Sequence, residues 1–283
     1  MPDISAKDVA ALRKITGAGM MDCKRALEES SGDLEAAKTW LREKGLAAAG
    51  KRAGRAAQQG AVDVFVDGNV GALVELTCET DFVAKGAEFK SVVAALAKQV
   101  TEDGEDIAAK PYAGDPSQTV DDVVKGMAGK LGENIGLGRI ARFEARGGLV
   151  EGYKHIQNER GTIGVLVELG GVDPSDPKAV EIGHDIALHV ASAAPRWVNR
   201  GDVPADVVES ERAVLENLTR NEGKPEQAIP KIVEGRLGGF YKENVLVEQG
   251  FVRDPKVTVA SLLSGLGPEA KITRFARVKI GEE

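Results

Sequence analysis

The sequence is poor in cysteine, in aromatic rings and in long apolar runs, and each shortage removes a class of protein. Cys23 and Cys78 are the only thiols in 283 residues. Two are too few for a disulfide framework, and neither has the C-x-x-C neighbour of a thiolate metal site. No apolar run approaches the roughly 18 residues of a membrane-spanning helix. The opening MPDISAKDVAALRK lacks the charged and apolar blocks of a signal peptide, so the expectation is a cytoplasmic protein with reduced thiols. Basic charge is not in excess either. With 37 Lys and Arg against 44 Asp and Glu, the net charge is -7, which argues against a general nucleic-acid surface and leaves only a local basic patch open.

Recognisable catalytic patterns are missing as well. His155, His184 and His189 are the only histidines, and no HExxH spacing joins them. There is no G-x-x-x-x-G-K-S/T loop for nucleotide phosphates and no G-x-S-x-G elbow, and the glycines of GENIGLGRIA do not follow a strand in dinucleotide-binding order. A thiol site can be drawn around Cys78 and Asp81, but on an alternating strand Cys78 shares the apolar face of Leu76, which favours a core thiol. The residues themselves point to a non-enzymatic interaction protein that needs no cofactor or metal.

Hydrophobic residues make up 42% and aromatics only 4%, which suggests helices packed through small side chains. Ser5 with Asp8 reads as a capping box for a first helix, with Val9, Leu12 and Ile15 on one face. Met20, Met21, Ala26 and Leu27 form the apolar side of a second. Asp33 caps a third that carries Leu34, Ala37, Trp40 and Leu41 and is expected to close at Gly45. This predicts a three-helix unit over 1–45. Residues 46–60, rich in Ala and Gly with Lys51, Arg52 and Arg55, read as a linker or thinly anchored helix, either a solvated spacer or a docking strip.

An internal repeat organises the remainder. Residues 61–78 predict two alternating strands joined at Asp67-Gly68-Asn69, and residues 149–169 repeat the plan with a turn at Asn158 to Gly161. GALVEL at Gly71 matches GVLVEL at Gly164, TVDDVVKG at Thr119 matches TVASLLSG at Thr258, and RIARF at Arg139 matches KITRF at Lys271. Each hairpin precedes a helical pattern, through Phe89, Val92, Val93, Leu96 and Val100 in one copy and Ile182, Ile186, His189 and Val190 in the other. The expected fold is α+β, with small antiparallel sheets covered by helices, one copy over 61–146 and the other over 147–203 and 243–283. Residues 204–242 interrupt the second copy as an antiparallel helical hairpin. Its apolar stripes, Val207, Val208, Val214, Leu215 and Leu218 on one helix and Ile229, Ile232, Val233, Leu237 and Phe240 on the other, fit either packing on its own domain or self-association into a homodimer.

ELTCETDFVAK, Glu75 to Lys85, is the stretch of most interest. Val70, Ala72, Val74, Leu76 and Cys78 alternate with Leu73 alone pointing the other way, so a half-buried strand is expected. Thr80 and Asp81 then suit a helix N-cap and first turn, leaving Phe82 at an element end. Phe82 either packs under its own short helix or meets a partner. The second repeat has no TDFV, which favours the partner.

TGAGMMDCKRALEESSGD at Thr16, CETDFVAK at Cys78, KLGENIG at Lys130, and GKPEQ with IVEGRLGGFYKE after Gly223 together resemble the bacterial translation elongation factor Ts family, with likeness spread over nearly the whole chain. The resemblance implies a three-helix ubiquitin-associated-like domain, two core subdomains and a coiled-coil hairpin. It implies a guanine-nucleotide exchange factor that binds elongation factor Tu, GDP-bound and nucleotide-free, and speeds GDP release, with no direct nucleic-acid or membrane partner. Carried over by motif, Thr80, Asp81, Phe82 and Val83 are expected to push in near the partner's magnesium and phosphate site, and Lys24 to contact its nucleotide-binding domain. Leu131 and Gly132 would support the same wedge, and His155 sits in a Tyr-x-His like the family's. The family's C-terminal helical module, which also touches elongation factor Tu, has no counterpart before Glu283. Two other classes remain as expectations to be separated: a ubiquitin-associated-like adaptor and a thiol enzyme around Cys78.

Overall fold

The computed structural model describes residues 4–52 and 54–282. Three helices come first, α1 (Ala6–Thr16), α2 (Met20–Glu29) and α3 (Leu34–Arg52). The expected caps form: the Ser5 hydroxyl accepts from Asp8 N–H at 3.1 Å, and the Asp33 carboxylate accepts from Glu35 and Ala36 N–H at 2.8 and 2.9 Å. Val9, Leu12, Cys23, Ala26, Leu27 and Ala37 make the core of this unit. Ile15, Met20 and Met21, expected on the inner faces, are exposed instead. Cys23, Ala26 and Leu27 take the inner side of α2, which leaves the two adjacent methionines, about 100° apart on the helix, outside it.

The third helix does not close at Gly45. It runs through that residue to Arg52, and the reason is tertiary. Gly45 lies where α3 crosses α6 (Val120–Leu131) so tightly that a Cβ on Gly129 would sit 2.7 Å from the Gly45 Cα. A mid-helix glycine costs about 0.5–1 kcal/mol relative to alanine, and here it permits backbone contact between two helices. Of the basic residues in the expected linker, Arg52 donates to the Ala128 carbonyl at 3.4 Å and Arg55 pairs with Glu79 at 3.4 Å. The side chain of Lys51 lies outside the described residues.

The repeat is present element by element, except that the short helix at Asp81–Lys85 in the first copy has no counterpart in the second among the described residues. Its first copy runs β1 (Gln59–Asp67), β2 (Val70–Cys78), α4 (Asp81–Lys85), α5 (Ala87–Asp103), a ribbon of β3 (Pro111–Tyr112) and β4 (Asp115–Thr119), α6, and β5 (Gly136–Glu144). The second runs β6 (Gly148–Gln157), β7 (Arg160–Gly170), α7 (Pro177–Ala193), then α8 (Ala205–Asn221) and α9 (Ile229–Asn244) of the inserted hairpin. It resumes with a ribbon of β8 (Gly250–Phe251) and β9 (Asp254–Thr258), α10 (Val259–Ser264) and β10 (Lys271–Lys279). In each copy the hairpin's second strand is central, giving antiparallel sheets ordered β1-β2-β5 and β6-β7-β10. Thr119 and Thr258 cap the matching helices through their side chains. The two ribbons are an element that the alternation pattern was too short to reveal.

Helices cover the outer face of each sheet. Ala72, Val74, Leu76 and Cys78 pack beneath Phe89, Val93, Leu96 and Val100 of α5, and Val165, Val167 and Leu169 pack beneath Ile186 and Val190 of α7. The inner faces meet each other through Val62, Leu73, Val150, Leu166 and Val278. The expectation of a half-buried β2 is therefore corrected. Leu73 is fully buried, and so is Glu75, whose carboxylate takes Arg139 in a two-pronged pair at 2.9 and 3.0 Å. A buried carboxylate is tolerable because that charged partner is supplied. In the inserted hairpin, Ile229, Val233 and Leu237 of α9 pack inside with Leu215, while Val214 and Leu218 of α8 stay exposed.

Candidate functional site

At the end of β2 the chain turns under strict control. Cys78 donates its thiol hydrogen to the Thr80 carbonyl at 3.1 Å, and burial, with the nearby charge of Glu133, pushes the thiol up to about 12. A buried thiol held protonated is a packing group, not a nucleophile. Thr80 is extended (φ -123°, ψ 153°) and caps α4 by accepting from Val83 N–H at 3.4 Å. Within α4, Ala84 is buried and Val83 packs on the core below. Asp81 accepts from Lys85 at 2.5 Å, and this bond holds its carboxyl below the usual carboxylate range. Phe82 points outward and is 84% exposed.

A large aromatic left so open is a poor use of apolar area unless something covers it. The turn that carries it is nevertheless rigidly held. Glu133, in the loop between α6 and β5, accepts from Glu79 N–H at 3.1 Å and Thr80 N–H at 3.0 Å through one oxygen and from the Thr80 hydroxyl through the other. Asn134 N–H donates to the Glu79 carboxylate at 2.7 Å, and the Asn134 amide donates to the Arg55 carbonyl at 2.7 Å. Leu131 and Gly132 act one step back. Gly132 is the left-handed cap of α6 (φ 77°) and Leu131 packs against the core, so together they deliver Glu133 to the turn. Leu131 and Gly132, the residues expected to act here, are the middle of KLGEN, whereas the hydrogen bonds to the turn come from its last two residues, Glu133 and Asn134. An acid three residues after Lys130, the one basic residue in the last turn of α6, carries no local sign of a partner 53 residues away.

The other expected contacts lie apart from this turn. His155 is exposed on β6 and its Nδ1 meets the Tyr153 hydroxyl at 3.1 Å. Its hairpin reaches the α4–α5 region at the tip, where Lys90 donates to the Glu159 carbonyl at 3.1 Å. Lys24 is about half exposed and pairs loosely with Glu28 at 3.7 Å. It rims a groove of about 670 Å3 between α1 and α2, whose walls include Val9, Arg13, Lys14, Met20 and Met21. This apolar, basic-edged groove was missed because helical periodicity assigned the methionines to the core. Two consecutive methionines were the available signal, since neighbours in a helix cannot share one face. Among the described residues no group of three or more His, Cys, Asp or Glu is placed to hold a metal ion, and no helix is long and apolar enough to cross a membrane.

The family model described as Elongation factor TS matches residues 79–282, starting within the Phe82 turn. The chain belongs to the elongation factor Ts family. It is 47% identical to elongation factor Ts of Acidothermus cellulolyticus over 285 residues, with the whole of both chains covered. It is 46% identical to that of Streptomyces coelicolor, covering 99% of this chain and all of the relative, and 39% identical to that of Aquifex aeolicus, covering 98% of each. As a member of the elongation factor Ts family it is a nucleotide exchange factor for elongation factor Tu in translation elongation and not a catalytic enzyme.

Proposed function

We propose that Phe82 is the wedge through which this exchange factor loosens GDP on elongation factor Tu, with Thr80, Asp81 and Val83 shaping the turn and the groove beside Lys24 gripping the partner's nucleotide-binding domain. The observation that carries the reading is an 84% exposed ring on a turn held by Glu133 and Asn134. Burying such a ring contributes about 1.5–3 kcal/mol. Because the turn is already ordered, little of that gain is lost to fixing it on binding. The gain is available to offset distortion of the partner's magnesium and phosphate site, where the cation is a major part of what holds a diphosphate. Exchange then follows from coupling. A factor that weakens GDP binding by some ratio is itself weakened by GDP in the same ratio, so GDP-bound and nucleotide-free partner lie on one cycle and no bond chemistry is required.

The working division has the three helices as a ubiquitin-associated-like arm. The two sheet copies form a core that presents the wedge, and 204–242 is a coiled-coil appendage. A fluorescent GDP analogue loaded on elongation factor Tu tests the central claim. Phe82→Ala is expected to leave the melting temperature unchanged, since no burial is lost, and to slow stimulated GDP release by on the order of tenfold or more, using about 1.4 kcal/mol per decade. Release at the wild-type rate would remove Phe82 from the mechanism.

A further inference from the structure

The tip of the second sheet's hairpin does something its own sheet does not need. Asn158 and Glu159 both adopt left-handed backbone (φ 51° and 65°), which makes the tight two-residue turn that carries β6 into β7. Just beyond, Gly161 lies so near the open edge of β1 that a Cβ there would sit 2.1 Å from the Val62 carbonyl oxygen. Any side chain would push the hairpin away. The tip therefore reaches past β1 into the first copy, where Lys90 of α5 holds Glu159 and the Arg160 Nη2 donates to the Gln59 side-chain oxygen at 2.7 Å. Gln59 is paired in register with Cys78, and Cys78 donates to Thr80, the cap of α4. A continuous path thus runs from Arg160 to the turn bearing Phe82.

Arg160 is only 8% exposed, yet its Nε and Nη1 have no hydrogen-bond partner among the described residues. For stability alone this is a poor choice. A half-satisfied buried cation is costly, and exchanging buried charge for a well-packed apolar side chain is often neutral or stabilising. Its positive field reaches both Cys78 and Asp81 and favours the charged form of each. Lys279 lines the same cavity as Arg160 and the Lys154 stem lies beside the adjacent Gly161, while Asp81, held by Lys85, and Glu133, which acts on the same thiol, are the acidic groups on the side of the turn.

We propose that Arg160 is a positioning residue for nucleotide exchange, reaching across from the second sheet through Gln59, the register partner of Cys78, to brace the end of β2 from which the Phe82 turn leaves. The inference rests on the wedge reading of Phe82 and adds a residue that is only 8% exposed. It separates stability from function in opposite directions. Arg160→Met, of similar length, is expected to melt at or above the wild-type temperature while stimulating GDP release roughly tenfold less, as a small misplacement of a positioned group can cost that much or more. Arg160→Lys, which keeps the charge and a donor for Gln59, is expected to restore most of the rate. Gln59→Met, cutting the same link from the other side, is expected to slow release as well and serves if the arginine variant does not fold.

Phe82→Ala is run beside them. If it is slow while Arg160→Met exchanges like wild type, the wedge stands and the positioning role falls; if Phe82→Ala itself is normal, the wedge reading has failed. A rate loss that tracks a lowered melting temperature and is not relieved by lysine would make Arg160 merely structural. Inorganic phosphate that stabilises wild type but not Arg160→Met would show that the free donors take an anion, which also overturns the proposal.

Discussion

Glu133 is tied to the Phe82 turn by three hydrogen bonds. Its carboxylate takes two backbone N–H groups and one hydroxyl, so Glu133→Ala strands three donors at once. Partial exposure of the turn lets water replace some of these bonds, and the expected cost is about 1–3 kcal/mol by urea denaturation. GDP release is expected to suffer more than stability, with Glu133→Gln intermediate because an amide keeps one acceptor oxygen. Elsewhere, His189 is buried in the second copy, bonded through Nε2 to the Gln249 side-chain oxygen at 2.9 Å, while its Nδ1 accepts from Val252 N–H at 3.1 Å. An acceptor at Nδ1 requires the proton on Nε2 and leaves no room for a second. Burial accordingly lowers its pKa below the ordinary value of about 6.5. The unfolded chain then binds a proton that the native chain refuses, so the stability contributed by neutral His189 is complete above that value and declines as pH falls through it. Glu151, raised by burial, acts in the opposite sense at lower pH. The comparison that isolates His189 is therefore urea midpoints at pH 7.5 and 5.5 for wild type and His189→Gln, with the variant expected to lose less on acidification.

Among the elements, the contact of α3 with α6 decides how the three helices sit on the sheets. Two glycines make the crossing, Arg42 pairs with Asp122 at 3.3 Å across it, and Lys130 lies along Gly17 on its way to Glu88 at 2.7 Å. Gly129→Val would drive a branched side chain into the Gly45 backbone, an overpacking that costs roughly 1–3 kcal/mol. The expected result is undocking of the helices rather than collapse of the sheets. Limited proteolysis should cut more readily near residue 54, binding to elongation factor Tu should weaken, and the main melting transition should stay in place. An unchanged cleavage pattern would show that the helix pair absorbs the valine.

At the scale of the molecule, the groove between α1 and α2 and the Phe82 turn of the first copy are two surfaces held on one frame by that crossing. The chain as a whole carries -7, but Arg13, Lys14 and Lys24 put positive charge around the groove. Lys24 is exposed and only loosely paired, so Lys24→Ala should leave folding unchanged and weaken the partner complex by ~0–1 kcal/mol. Titrations at 50 and 500 mM salt check the assignment, since a charge contact at the rim fades within a short Debye length. A loss that is equal at both salt concentrations would point to packing of the lysine stem instead.

Sequence by itself determined whatever is local or repeated. Ser5, Asp33, Thr80, Thr119 and Thr258 cap helices because a short polar side chain beside free N–H groups does so in any context. The matched GALVEL and GVLVEL blocks fixed two hairpins of one design, and TDFV with KLGEN carried the family. Tertiary structure decided what has no period along the chain. It chose which apolar side chains go inside, leaving Met20 and Met21 out and taking Leu73 in, because a second sheet covers a face that one strand's alternation leaves open. It carried α3 through Gly45 because another helix needed the space. It also brought Glu133 to the Phe82 turn and Arg160 to Gln59, each far away in sequence, and only contacts made on folding reveal why an exposed phenylalanine is held so firmly.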